Sequence, residues 1–181
     1  AKELGVKIYT KHNIDKIVVE NAAVKGVEIK GAMMKSDIVL SGADYHHTET
    51  LLDNKYRQYS KAYWDKKVFA HSSLLFYIGL DKKIENVEHH NLFFDASFET
   101  HAEEIYDNPK WPSRPLFYVN IPSKTDPSMA PEGCDALFIL IPIAPAIEDT
   151  AELRNHYLEN ILKRFEEKTE QSIQNNIIFK E

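Results

Sequence analysis

Arg114–Pro145, RPLFYVNIPSKTDPSMAPEGCDALFILIPIAP, sets two apolar runs on either side of a linker with two prolines and a glycine. "RPLFYVNIPS" and "DALFILIPIAP" have strand length and β-branched or aromatic content, so each reads as a strand. The linker is long for a tight hairpin and lacks the periodicity of a crossover helix, so the two strands are predicted to pair antiparallel. The greasiest stretch, Ala136–Ile147, is too short to span a bilayer and contains two prolines, which favours a buried strand.

Outward from that pair the chain alternates between strands and helices. On the C-terminal side, Thr150–Thr169 places Leu153, Tyr157, Ile161 and Phe165 four apart with Leu158 and Leu162 beside them. That is one broad apolar helix face, with Thr150 as N-cap and charges opposite. Asn175–Lys180, NNIIFK, reads as a strand whose partner lies outside or beside the chain end. Upstream, "AHSSLLFYIGLD" and "HNLFFD" read as strands, and "SFETHAEEIYDN" as a short helix capped near Ser97 and stopped by Pro109. His46–Trp64 is helical in character, with Tyr56, Tyr59, Tyr63 and Trp64 at helix-like spacing, and reads as one helix packed on a sheet. Four short strands are predicted at the front: "GVKIYT", "IDKIVVE", "AVKGVEI" and "KSDIVLSG". The fold class is therefore α+β, a mixed or antiparallel sheet with helices packed on it, preceded by a short β-rich segment.

Composition narrows the function. A net charge of −6 argues against nucleic-acid binding, which needs a basic face. With 43% apolar and 28% charged residues the chain is not of disordered composition. Cys134 is the one cysteine, which rules out an internal disulfide and fits a reducing compartment. The opening "AKELGVKIYT" has neither basic nor apolar leader character, so secretion is not expected. The pairs His46-His47 and His89-His90 do not have metal-ligand spacing, because adjacent residues point in different directions; no metal is assigned. Glu103-Glu104 reads as a solvated helix face. No P-loop, GxSxG or GxGxxG occurs, and the residues alone name no catalytic group.

At the end of "SDIVLSGADYHHTETLL", Ser36–Leu52, small residues and a carboxylate sit between an apolar run and a helix-like segment. Ser41, Gly42 and Ala43 allow close approach of the backbone to something else. Asp44 is placed to cap the helix that follows.

Tyr59–Asp95 followed by Glu103–Pro145, with the "DPxxAPEG" turn of Asp126–Gly133 before an apolar strand, resembles the bacterial-type phytoene desaturases. These are flavoenzymes of carotenoid biosynthesis, related in fold to the amine oxidases. The resemblance covers essentially the whole chain. It implies that residues 1–45 are a β-rich strip of the FAD-binding domain, 46–170 the substrate-binding domain, and 171–181 a strand returning toward the FAD domain. It implies FAD in the full-length enzyme, with Ala43 and Asp44 on the flavin side and Ile14 beside the adenine.

The family's GxGxxG turn and glycine-rich closing segment do not occur here, so the chain reads as an internal fragment that binds no FAD by itself and is inactive. The implied substrate is a hydrophobic C40 carotenoid. The implied setting is the cytoplasm, with peripheral membrane contact of the full-length enzyme and edge-strand self-association of the fragment as further expectations. Two alternatives stand beside this reading. One is a carotenoid isomerase or other isoprenoid flavoprotein; the other is a non-catalytic lipid-binding or interaction module.

Overall fold

Asn21, Ala22, Lys30 and Gly31 all lie at positive φ, the backbone geometry of two-residue hairpin turns. They fold the front of the chain into a three-stranded antiparallel sheet of β1 (Lys16–Glu20), β2 (Ala23–Ile29) and β3 (Ala32–Lys35), in that order. The computed structural model describes residues 1–181, which divide into two compact units, Ala1–Val68 and Phe69–Glu181. In the first, a bulge between Val18 and Val19 puts Gly26 opposite Val18. Gly26 has φ +138, and a Cβ there would lie 2.0 Å from the Met34 carbonyl oxygen, so only glycine fits.

Two of the four expected front strands do not form. "GVKIYT" is unpaired, and "KSDIVLSG" gives way to β3 one segment earlier, leaving Ile38 and Leu40 80% and 95% exposed. The sheet ends at β3, and neither segment pairs with it.

The expected helix over residues 46–64 is also interrupted. It consists of α1 (Tyr45–Thr50), a 3₁₀ turn at Asn54–Tyr56, and α2 (Lys61–Trp64). Ser60 restarts the helix by accepting a hydrogen bond from the Tyr63 N–H. The aromatic residues meet as a cluster, not as a stripe: Tyr59 stacks on Tyr63 at 4.2 Å and meets Trp64 edge-on. Buried Glu49 organises the bend, accepting from the N–H of Gln58 (2.6 Å) and Tyr59 (3.2 Å) and from Trp64 Nε1 (2.8 Å). Because the Ile17 N–H donates to the Leu51 carbonyl, this stretch is tied to the first sheet. The boundary expected at residues 45–46 therefore falls inside the first unit.

The second unit holds β4 (Ser72–Leu80), β5 (His90–Phe93), α3 (Phe98–Ala102), β6 (Phe117–Asn120), β7 (Asp135–Ile143), α4 (Ala151–Thr169) and β8 (Ile177–Lys180). Its five-stranded sheet has the order β5-β6-β7-β4-β8, with every neighbouring pair antiparallel. The β6–β7 pairing read from the sequence is present, and β8 finds its partner in β4. Period-two alternation sends Leu74, Phe76, Ile78 and Leu80 of β4, and Leu137, Ile139 and Ile141 of β7, to one face. There they bury against Tyr157, Leu158, Ile161, Leu162 and Phe165 of α4.

Thr150 caps α4 by accepting from the Leu153 N–H. Arg164 of α4 is buried. It pairs with Asp95, donates to the Pro115 carbonyl at 2.8 Å, and lies 5.0 Å from the centre of the Phe117 ring. No helix is long and apolar enough to cross a membrane.

Candidate functional site

The same alternation that fills the α4 side leaves the other face of the second sheet uncovered. Leu75 and Tyr77 of β4 point away from the core, and Tyr77 is 50% exposed. Tyr77 meets Phe138 of β7 at 5.2 Å between ring centres. Leu140 and Pro142 continue the row on β7, with Tyr118 on β6 and 67%-exposed Leu92 on β5. A contiguous apolar and aromatic surface of this kind on a folded chain marks a place where something binds.

One end of this face is roofed. Ser97 starts α3 by accepting from the Thr100 N–H, and the helix then widens into a π-helical turn at Glu103–Asp107. Between this segment and the sheet lies an apolar cavity of about 350 Å³, lined by Leu92, Phe94, Phe98, Ile105, Leu140 and Pro142 among others. Its polar side chains are His71, His101, Tyr106 and Tyr118.

Buried His101 holds α3 in place. Its Nδ1 accepts from the Leu116 N–H at 3.1 Å, so its Nε2 carries the proton and donates to the Pro142 carbonyl at 2.9 Å. Tyr118 Oη is likewise committed, receiving Asn120 Nδ2 at 2.9 Å and sharing a 2.6 Å bond with His90 Nδ1. At the cavity wall, His71 Nδ1 and Tyr106 Oη share a bond of 2.7 Å.

Glu104 fixes the π-helical turn from behind. It is buried, not solvated as its sequence suggested: it accepts from the Ser113 N–H (2.8 Å) and hydroxyl (3.2 Å) and pairs with Lys110 at 3.3 Å. Burial alone would raise its pKa, but the Ser113 donors and the Lys110 ammonium outweigh it and hold the carboxyl below the ordinary glutamate value. Glu104 is thus an anchor, and Glu103 receives only Asn108.

The residues singled out in the sequence lie in the first unit. Asp44 caps α1, its carboxylate accepting from the His47 N–H at 3.0 Å. Ala43 is exposed, and its N–H donates to Ser41 Oγ at 3.3 Å, while that hydroxyl also bonds Thr48 Oγ1 at 2.7 Å. A Cβ on Gly42 would meet nothing within 4 Å, so the turn is open to close approach on that side. Ile14 precedes β1 and is half-buried. The sequence reading did not reach the cavity or the His71–Tyr106 pair. The only signal for them was the period-two alternation of β4 and β7, which separates two faces without saying which one a helix covers.

No family model matches the chain. It is 36% identical over 179 residues to a carotenoid 3,4-desaturase of Haloarcula japonica, covering 98% of this chain and 36% of that protein. It is 32% identical over 145 residues to a zeta-carotene-forming phytoene desaturase of Myxococcus xanthus, covering 79% of this chain and 28% of that one. The chain therefore spans about a third of the length of these relatives. The crystal structure of an oxidoreductase from Methanosarcina mazei superimposes with a TM-score of 0.57 at 16% identity, over 99% of this chain and 38% of that one, which relates the folds.

Proposed function

Since the chain belongs to the carotenoid and phytoene desaturase family, as a stretch about a third of its relatives' length, we propose that it is the substrate-side part of an oxidoreductase that dehydrogenates a long polyene. The observation that carries this reading is the uncovered sheet face. Tyr77, Phe138, Leu140 and Leu92 form an exposed apolar surface that continues into the roofed cavity, and a long apolar chain can lie along the one and end in the other. The protein supplies orientation and exclusion of water, while the redox chemistry belongs to a cofactor.

In the proposed full-length enzyme that cofactor would be FAD, which would supply the hydride-accepting chemistry. The turn at Gly42 is open to close approach, and in this reading Ala43, Asp44 and the Ile14 backbone would hold the cofactor. The 181 residues contain no glycine-rich turn to cradle a pyrophosphate, so a fluorescence titration of this chain with FAD is expected to show no saturable quenching. In this reading residues 1–45 belong with the FAD-binding domain and the Phe69–Glu181 sheet with the substrate.

The test is equilibrium binding of detergent-dispersed phytoene to the chain, followed by ultracentrifugation to establish that the species measured is a monomer. Wild type should bind saturably. Phe138→Asp or Tyr77→Asp on the open face should weaken binding at least ten-fold, whereas Lys163→Asp, on exposed α4 surface, should leave it unchanged. Absence of saturable binding, or equal binding by all variants, would remove the sheet face from the function.

A further inference from the structure

From the roofed cavity the open sheet face offers two directions. Toward β5 and β6 stand a phenol, an amide and an imidazole: Tyr118 Oη shares a 2.6 Å bond with His90 Nδ1, and Asn120 Nδ2 reaches the two at 2.9 Å and 3.2 Å. A hydrocarbon laid over these groups would strip their water and return no hydrogen bond. Toward β4 the register sets Leu75 beside Leu140, Tyr77 beside Phe138 and Gly79 beside Ala136, with Phe179 of β8 next to Gly79. Directly paired residues share a face, so these side chains form one lane parallel to the strands, apolar but for the Tyr77 hydroxyl. The lane has an end. β4 stops at Leu80, before Asp81, Lys82 and Lys83, and β7 begins at Asp135, so Gly79 and Ala136 are its last pair. They are also its smallest residues, and a chain lying above them meets no side chain as it turns away from the sheet.

Resting on the proposed function, we infer that the polyene lies lengthwise over the β4–β7 pair with one end in the cavity, and that it leaves the sheet over Gly79 and Ala136. The length of chain held follows from the strand. Pro142 lines the cavity, and from there to Ala136 the strand advances about 20 Å at about 3.3–3.4 Å per residue. An extended chain gains about 1.2 Å per bond, since three bonds of extended backbone span about 3.3–3.6 Å. The lane therefore takes about sixteen main-chain carbons, the main chain of a C20 isoprenoid and half that of a C40 one. The rest of the polyene projects beyond the sheet. Ala136 is the specificity-determining position, because a larger side chain there shortens the lane. Gly79 is less suited to a test, as a Cβ on it would stand 3.3 Å from Phe179 Cβ.

The experiment measures binding of detergent-dispersed saturated isoprenoid hydrocarbons of C15, C20 and C25 to the 181-residue chain by isothermal titration. Wild type should bind the C20 probe about ten-fold or more tightly than the C15 probe, as one more isoprene unit reaches the apolar surface. The C25 probe should gain nothing further, because its last unit has left the sheet. Ala136→Phe should bring the C20 affinity down to that of the C15 probe and leave the C15 affinity unchanged, which also shows that the variant is folded. His90→Asp, on the polar side of the face, should change none of the three. A gain from C20 to C25 equal to that from C15 to C20, equal loss of C15 and C20 binding in Ala136→Phe, or any loss in His90→Asp overturns the lane and leaves the proposed function standing. Failure of wild type to bind any of the probes overturns both.

Discussion

Asp135, the first residue of β7, is 1% exposed and gathers three segments of the second unit around one carboxylate. It accepts from the Ile84 N–H at 2.8 Å and from the Ser123 hydroxyl at 2.7 Å, with Lys83 Nζ at 2.9 Å and Lys124 Nζ at 3.6 Å. Asp135→Ala strands the Ile84 N–H and the Ser123 hydroxyl, each at a cost of about 1–3 kcal/mol, for a total of about 3 kcal/mol. The lysines are partly exposed and return to water, so they add little.

Asp135→Asn keeps the size but turns one acceptor into a donor facing groups that already donate, at a cost of about 1–2 kcal/mol. At about 2–4 °C per kcal/mol for a chain of this length, the alanine variant should melt about 6–12 °C below wild type. The pH dependence has a definite sign. Burial alone would raise the pKa of Asp135, but the Ile84 N–H, the Ser123 hydroxyl and the Lys83 ammonium hold it below the ordinary aspartate value. The carboxylate therefore contributes stability above the unfolded pKa of about 3.9 and loses it as the pH falls toward the folded value.

Urea denaturation at pH 7 and at steps down to pH 3 measures both effects. An Asp135→Asn variant within about 0.5 kcal/mol of wild type at pH 7 would refute the account, since that is the range of an inconsequential surface change. So would a difference that stays constant down to pH 3.

Gly26→Ala should destabilise the first sheet by more than about 1 kcal/mol, because the new methyl group meets the Met34 carbonyl and the residue is held at φ +138. Hydrogen exchange should show the β2–β3 amides losing protection while those of β4 and β7 keep theirs. Asp44→Ala should cost about 1 kcal/mol as a lost N-cap and Asp44→Asn almost nothing. In a full-length enzyme, Asp44→Asn altering the flavin spectrum, together with loss of flavin in Ala43→Leu, would support cofactor contact, and wild-type flavin content in both would end that reading. Burial pushes the Tyr157 hydroxyl up to about 12, with the Glu104 carboxylate adding to it. Ultraviolet titration of wild type against Tyr157→Phe should therefore show this tyrosine still un-ionised at pH 10.5 while the fold persists.

What could be read from the sequence was local in origin. Ser97 and Thr150 cap the helices they were expected to cap, and α4 buries the face that its four-residue spacing marks out. The β6–β7 pair follows from two apolar runs and the turn chemistry between them. The misread segments depended on neighbours. Residues 36–42 have the composition of a strand but pair with neither edge of the three-stranded sheet, and the helix expected over 46–64 is broken because Glu49 spends its carboxylate on the N–H groups of Gln58 and Tyr59. The candidate site was least legible, since its determinants are brought together only by folding. His71 meets Tyr106 across 35 residues, and Arg164 meets Asp95 across 69. Alternation along β4 announces two faces, and only the placement of α4 decides which of them stays open.

The pairing of β4 with β8 has a topological consequence. These are the first and last strands of the second unit, and they run antiparallel side by side, with Glu181 exchanging backbone hydrogen bonds with Tyr77. The chain therefore leaves the unit heading back toward the place where it entered. Ser72 and Tyr77 are separated by about 17 Å of strand at about 3.3–3.4 Å per residue, so a bridge of about five to ten residues would reach from Glu181 to Ser72. With β4 and β8 side by side at one end of the strand order, residues 69–181 can be circularly permuted without reordering their strands.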